Sequence, residues 1–375
     1  MKQAYLISCS DHYGHRLSVF DFVLQKFGYT TAYLTSDFSH TAKEAFHCDV
    51  PGCVQLHVRP YRKNLSLDRI LSHREFAREV FQYLEALPEE PQAVVCLLPP
   101  NFLAKYMARY KKRHPSVRLF FDIFDLWPET FPFGKTKRLL ALPFSIWSRL
   151  RDCNLFAADY VFTECELFRC LLGLPDDRAS AIFLCVKSLS VPEAPVSLRS
   201  DGLDLCYLGA INNVIDIPAI CALIAELAVK KPVALHIIGA GEREQEFVAS
   251  AKAAGAEVSF YGAVYDDAKK QEIMSRCHLG INMMKPSVCV GLTMKSAEYF
   301  RHGLPILNNI AADTQTLVEQ DGVGIQCAPG CAKWIAAMTE PDFLALRENV
   351  RRVFTDKLEE SVVARKVAAI LETVL

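Results

Sequence analysis

Two turns in the second half of the chain end apolar runs in glycine. The run Leu205-Cys206-Tyr207-Leu208 leads into Gly209, Ala210, Ile211, Asn212 and Asn213, and Leu235-His236-Ile237-Ile238 leads into Gly239-Ala240-Gly241. A strand ending this way presents unpaired main-chain N–H groups near the start of the next helix, and glycine lets a bulky phosphate approach that backbone. Gly-x-Gly is also an ordinary tight strand-to-helix connection, so the glycines alone settle nothing. Residues 283–307 add the chemistry. Met283, Met284 and Lys285 close an apolar run, a small-residue loop reaches Gly291-Leu292-Thr293, and Lys295 and Glu298 follow on a helical stretch that stops at Gly303-Leu304-Pro305. A carboxylate accepts two hydroxyl hydrogen bonds in the geometry of a vicinal diol, and a nearby lysine can neutralise a departing anion. At i,i+3 the two can equally pair with each other on the helix surface.

The first half offers fewer such groups. The first apolar run ends in the polar loop 8–16, where His12 or His15 could orient a hydroxyl, although a lone loop histidine is often only solvated. Asp125 and Glu129 follow another apolar run, and they either meet hydroxyls of a substrate or open a helix at its positive end. Basic residues gather at 105–118 and 135–151, the second stretch interleaved with Phe144, Ile146, Trp147 and Leu150. Basic charge beside aromatics suits an anionic bilayer surface; a solvated helix face is the rival reading, and no nucleic-acid-binding motif accompanies it.

These residues need strands and helices to place them. Short apolar runs at 4–9, 31–34, 93–98, 119–123 and 160–163, then at 205–208, 234–238, 258–261, 279–283 and 306–307, alternate with amphipathic stretches. Buried strands alternating with helices make parallel α/β sheets. Residues 187–202, with Pro192, Pro195 and several serines, read as a linker between two doubly wound domains, 1–187 and 203–355. In the final segment, 356–375, Leu358, Val362, Val363, Val367, Ile370 and Leu371 form the apolar stripe of a terminal helix.

A chain of 375 residues, 51% hydrophobic and 23% charged, is long enough for two packed cores and too apolar for extended disorder. Its net charge of -1 hides an excess of cations in the first half and of anions in the second. Fourteen cysteines are scattered without a C-x-x-C pair, which points to buried free thiols in a reducing compartment and to no structural zinc site. The first residues lack the apolar length of a signal peptide, and a cytoplasmic protein is expected.

Residues 203–326 resemble the donor domain of retaining GT-B glycosyltransferases, above all family 4 (glycosyl transferases group 1). The resemblance rests on the Gly-Leu-Thr loop, the Lys295-Ser296-Ala297-Glu298-Tyr299 helix and the Gly-Leu-Pro stop. It implies two Rossmann-like domains facing across a cleft, a nucleoside-diphosphate-sugar donor, and a glycan or lipid-linked acceptor. It also implies retention of configuration and no metal cofactor. Carried onto this chain, the amides of Gly291, Leu292 and Thr293 hold the diphosphate, Glu298 takes the ribose and Lys295 neutralises the leaving group. Gly209, Asn212, Asn213, Gly239, Gly241 and Lys285 line the donor, with Val264 and Tyr265 at the base. The run 120–129 resembles the family's Asp-Leu-Trp-Pro-Glu segment, so that Lys295, His12 and Asp125 are the catalytic candidates and His15 and Glu129 stand on the acceptor side. Two family features differ: Val290 stands where a glutamate is usual, and no lysine follows Asn212 and Asn213, leaving the diphosphate charge to Lys285, Lys295 and helix N-termini. The enzyme is expected in polysaccharide biosynthesis, peripheral on the inner face of the membrane. A GT-B sugar-nucleotide epimerase and a non-catalytic sugar-nucleotide-binding subunit are the alternatives.

Overall fold

A computed structural model describes residues 2–10, 14–64, 66–131, 141–189, 197–199 and 201–375. The chain divides into two compact units, 1–185 with 361–375, and 186–360.

In unit 1 the strands β1 (Lys2–Ser8), β2 (Tyr29–Ser36), β3 (Cys53–Leu56), β4 (Ala93–Leu98), β5 (Arg118–Ile123), β6 (Tyr160–Thr163) and β7 (Ala179–Ala181) form a parallel sheet in the order β3-β2-β1-β4-β5-β6-β7. The helices are α1 (Gly14–Lys26), α2 (Leu67–Glu85), α3 (Asn101–Arg113), α4 (Ala141–Asp152) and α5 (Glu166–Leu171). Every residue of β4 is buried, as a central parallel strand covered on both faces requires. Its period of two feeds two cores: Val94, Cys96 and Leu98 join Tyr5, Ile7 and Phe121, while Ala93, Val95 and Leu97 join Leu6, Phe120 and Phe162. Arg16, on α1, is fully enclosed and binds Asp122 of β5 through two hydrogen bonds of 2.7 and 2.8 Å. The polar loop after β1 is therefore shorter than residues 8–16, because the helix begins at Gly14.

In unit 2 the strands β8 (Leu203–Leu208), β9 (Val233–Ile238), β10 (Ala256–Phe260), β11 (Leu279–Asn282), β12 (Ile306–Asn308) and β13 (Gly324–Gln326) form a second parallel sheet in the order β10-β9-β8-β11-β12-β13. The helices are α6 (Ile217–Ala228), α7 (Glu244–Ala253), α8 (Asp267–Met274), α9 (Met294–Arg301), α10 (Asp313–Asp321), α11 (Cys331–Ala337) and α12 (Glu340–Val353). Leu198 packs against this core and its N–H donates to Glu340, so the residues just before β8 belong to the body of unit 2. Leu358 is buried in a π turn at 354–358, not on the terminal helix.

The last helix, α13 (Glu360–Val374), returns to unit 1. Val363, Ala364, Val367 and Leu371 share one face and enter the core that Leu17, Phe20, Val23 and Leu24 of α1 also fill. All fourteen cysteines are free, but only Cys96, Cys165, Cys206 and Cys277 are buried, and Cys153 and Cys170 are exposed. Among the described residues no helix is long and apolar enough to cross a membrane, and no group of histidine, cysteine and carboxylate side chains is gathered as for a metal ion.

Candidate functional site

Each sheet reverses its strand order once, between β1 and β4 and between β8 and β11, and open parallel sheets bind ligands beyond the strand ends at such points. In unit 2 the donor-side candidates fall there. Gly209 ends β8, Gly239 and Gly241 follow β9, Val264 and Tyr265 follow β10, and Lys285 and residues 291–293 lie between β11 and α9.

The glycines divide into two kinds. A Cβ on Gly239 would lie 2.0 Å from the carbonyl oxygen of Gly209, and one on Gly241 would lie 2.3 Å from that of Ile211. These two glycines let the β8 and β9 turns lie against each other, which differs from the expectation that they admit a phosphate. Gly209 is the open one: at φ +119° its Cβ position meets only Cε of Lys295, 3.8 Å away. Asn212 and Asn213 serve the same turn. The Asn212 side chain accepts from Val214 N–H at 3.1 Å, and the Asn213 amide donates to Glu242 at 2.6 Å.

Lys295 and Glu298 do not pair. Lys295 is buried, its ammonium 4.6 Å from the centre of the Tyr207 ring, and no carboxylate bonds it among the described residues. Burial pushes its pKa down to about 8. Glu298 faces the other way. Its Oε1 takes Lys270 of α8, Arg301 at 3.4 Å and His302 at 3.4 Å. Burial alone would raise its pKa, but His302 and Lys270 outweigh it and hold the carboxylate at about 2. Lys270, Arg301 and His302 carried no signal in the sequence beyond helical spacing, because the first is 28 residues from Glu298.

The N-terminus of α9 presents open main-chain donors. Thr293 caps it, accepting from Ser296 N–H at 3.1 Å, while its hydroxyl donates to Asn282 at 2.9 Å. The N–H groups of Leu292, Thr293, Met294 and Lys295 make no hydrogen bond among the described residues, and the Leu292 side chain is buried beneath them. The preceding loop is stitched in place: Met284 N–H donates to Asn309 at 2.8 Å, and Thr314 donates to the Gly291 carbonyl through both its N–H and its hydroxyl. Asn282, Asn308 and Gln326 continue this network across the strand ends. The Tyr299 hydroxyl accepts from Leu208 N–H at 2.7 Å and lies within 3.2 Å of the carbonyls of Cys206 and Ile281, tying α9 to β8 and β11. Lys285 is half-buried in this loop and Tyr265 is 88% exposed, so Tyr265 is not held by packing.

Residues 202–340 match the model of the family glycosyl transferases group 1. The matched segment contains the donor-side candidates from Gly209 to Glu298. No curated protein matches the chain. Solved structures resemble it over its whole length. The lipopolysaccharide outer core galactosyltransferase WaaB in its apo form has a TM-score of 0.67 at 15% identity, over 100% of both chains. Anabaena HepE in complex with UDP has a TM-score of 0.64 at 15% identity, again over 100% of both. The catalytic domain of starch synthase IV from Arabidopsis thaliana, bound to ADP and acarbose, scores 0.65 at 13% identity, over 100% of this chain and 99% of that one. At these identities the likeness shows the fold, two Rossmann-like domains whose structural neighbours are GT-B glycosyltransferases.

Outside the matched segment the picture changes. His12 lies outside the described residues, and His15 is in the first turn of α1 with its side chain likewise outside them. Asp125 opens no helix. It accepts from the Trp127 indole N–H at 2.5 Å and the Thr130 hydroxyl at 2.6 Å, closing a turn after β5, and burial raises its pKa. Glu129 is committed to the enclosed Arg151, which reaches both its oxygens at 3.0 and 3.1 Å. A buried guanidinium needs such a partner, and Glu129, 34% exposed, supplies it.

Proposed function

We propose that the protein is a glycosyltransferase that moves a sugar from a nucleoside diphosphate sugar to a glycan or lipid-linked acceptor with retention of configuration. One observation carries the reading: Lys295 is a buried lysine with no carboxylate partner among the described residues, beside the open turn at Gly209 and on a helix whose first N–H groups are unbonded among them. Burying such a charge is costly unless an anion completes the site. The diphosphate supplies it. As the bond from the anomeric carbon to the phosphate oxygen breaks, negative charge grows on that oxygen, and Lys295 with the amides at 292–295 stabilises it. Glu298, kept ionised, accepts the ribose hydroxyls on Oε2, since the contacts within unit 2 fall on Oε1. This route uses no covalent nucleophile and no metal ion.

The match to glycosyl transferases group 1 supports the donor class, and the presence of UDP-glucose in one HepE structure and ADP in starch synthase IV makes nucleoside diphosphates the first ligands to try. Val290 in place of a carboxylate favours a second reading, a sugar-nucleotide-binding subunit without turnover. Thermal-shift screening against nucleoside diphosphates, followed by assay of nucleotide release from the matching sugar donor, tests both. At a hundred times the dissociation constant the matching nucleotide adds about 2.7 kcal/mol. No stabilisation by any nucleotide contradicts the proposal, and binding without release favours the second reading. Work at a cytoplasmic membrane surface, in polysaccharide biosynthesis, fits α4, where Leu142 and Ile146 are exposed beside Arg149. The basic residues of 135–140 lie outside the described residues. Cosedimentation with anionic but not neutral vesicles at low salt is expected; equal recovery with both would remove this part.

A further inference from the structure

Glu298 is gripped from one side. Three groups reach its Oε1, and two of them are also committed elsewhere. The Arg301 guanidinium donates from Nε to the Lys187 carbonyl at 2.7 Å and from one terminal nitrogen to Asp267 at 2.7 Å, and its other terminal nitrogen stays 3.4 Å from Glu298. Lys270 divides its ammonium between Glu298 and Asp267, the latter 2.8 Å away. The third group is His302. It caps the C-terminal end of α9 one turn beyond Glu298, its side chain wholly enclosed, with Nε2 3.4 Å from Oε1. Its Nδ1 meets the side-chain amide of Gln271, a residue of α8 that is itself 4% exposed.

The hydrogens of this pair follow from what is left over. Among the described residues, Nε2 of His302 and the amide nitrogen of Gln271 are buried with no well-formed hydrogen bond. A ring carrying its hydrogen on Nδ1 alone would turn the lone pair of Nε2 toward an anionic oxygen, which is repulsive. A hydrogen on Nε2 removes that fault and points along the contact with Glu298. Turning the Gln271 amide so that its NH2 faces Nδ1 gives the orphaned amide nitrogen an acceptor and holds the ring in that tautomer. Burial raises the Glu298 pKa, and His302 is the strongest of the influences that bring it down to about 2. What the grip leaves is Oε2 of an ionised carboxylate whose side chain is only 17% exposed. Once a bound nucleotide excludes water, each hydroxyl missing from its sugar leaves that charged acceptor unpaired.

We propose that His302, held in one tautomer by Gln271, is a positioning residue that turns Oε2 of Glu298 toward the diol of the donor's ribose. The donor is then a ribonucleoside diphosphate sugar and not a 2′-deoxyribonucleoside one. This rests on the transferase reading, which the test separates from it.

Calorimetry on the full chain compares uridine, adenosine and guanosine diphosphates with their 2′-deoxy forms. In the native chain the tightest ribonucleotide should bind at least about tenfold more tightly than its 2′-deoxy form. His302→Ala should cut that ratio to about threefold or less, weakening the ribonucleotide and leaving the deoxynucleotide within about twofold. Damage to the fold would weaken both alike. Because His302 is enclosed, Gln271→Leu gives a second variant of nearly unchanged shape, which frees the ring without removing it and should lower the ratio in the same direction. His302→Gln, whose side-chain N–H can reach the same oxygen, should restore part of the ratio. Equal affinity for the two sugars in the native chain, or the native ratio kept in folded His302→Ala and Gln271→Leu chains, overturns the inference and leaves the transferase reading standing. A native chain that binds none of these nucleotides overturns both.

Discussion

The two sheets share a strand order and differ at their reversal points. Beyond β8 and β11 the groups at the strand ends are mostly main-chain: a glycine packed against a glycine and four amides unbonded among the described residues, with the buried Lys295 ammonium beside them. Beyond β1 and β4 they are side chains: Arg69 and His73 lie against the Trp127 ring, close to Pro100. Main-chain groups are fixed by the fold and change little with sequence, which suits a ligand part as constant as a diphosphate. Side chains change with every substitution, which suits the part of a reaction that differs from enzyme to enzyme.

The largest expected effect breaks the first of these constructions. Gly239→Ala places a methyl group against the Gly209 carbonyl, 2.0 Å away without relaxation. Overpacking of this kind costs about 3 kcal/mol, and thermal melting should show it together with loss of nucleotide stabilisation. An unshifted melting temperature would mean that the two turns separate easily. Next comes unit 1. Glu129→Ala removes the bidentate partner of an enclosed arginine and should cost about 2 kcal/mol, discounted because Glu129 is 34% exposed. Nucleotide affinity should stay within about twofold, since the residue lies in the other unit. A parallel loss of affinity would break the division of labour. Glu298→Gln should be milder for the fold than removal of the side chain. It should weaken nucleotide binding by about 1.5 kcal/mol, the lower range for hydrogen bonds to a charged group. Unchanged affinity in calorimetry would reduce Glu298 to a partner for Lys270 and Arg301.

Much of this was legible from the chain. Central strands such as β4, apolar at every position, and β8, apolar but for Asp204, have both faces covered, and such runs stand out in any sequence. The edge strands β3, β7 and β13 were missed. Three or four residues long and partly exposed, they carry no run and no alternation. The segment from Gly291 to Glu298 was readable because loop, cap and helix are contiguous. Which way Lys295 turns was not, because Tyr207 lies far away in sequence and the i,i+3 carboxylate looked like a sufficient partner. Arg69 and His73 were hidden differently. They occupy positions of the apolar stripe of α2, followed by Phe76, Ala77, Val80 and Leu84, and polar residues at the start of such a stripe read as its solvated end. Asp125 was noticed for its charge, whereas its use depends on Trp127 two residues on.

The central claim is that Lys295 meets the donor's diphosphate as an ammonium. Its pKa of about 8 lies below the ordinary lysine value of 10.5, so the unoccupied protein bears the cost of the charge below pH 8. Stability from this group should rise as pH climbs from about 8 toward that ordinary value. Nucleotide binding runs the opposite way, because the competent protonated form is lost. Calorimetric titration of the matching nucleoside diphosphate should show affinity falling about eightfold between pH 7.5 and 9, and a weaker, flat profile in Lys295→Met. The same pH profile in both proteins, or native affinity in the variant, would contradict the account.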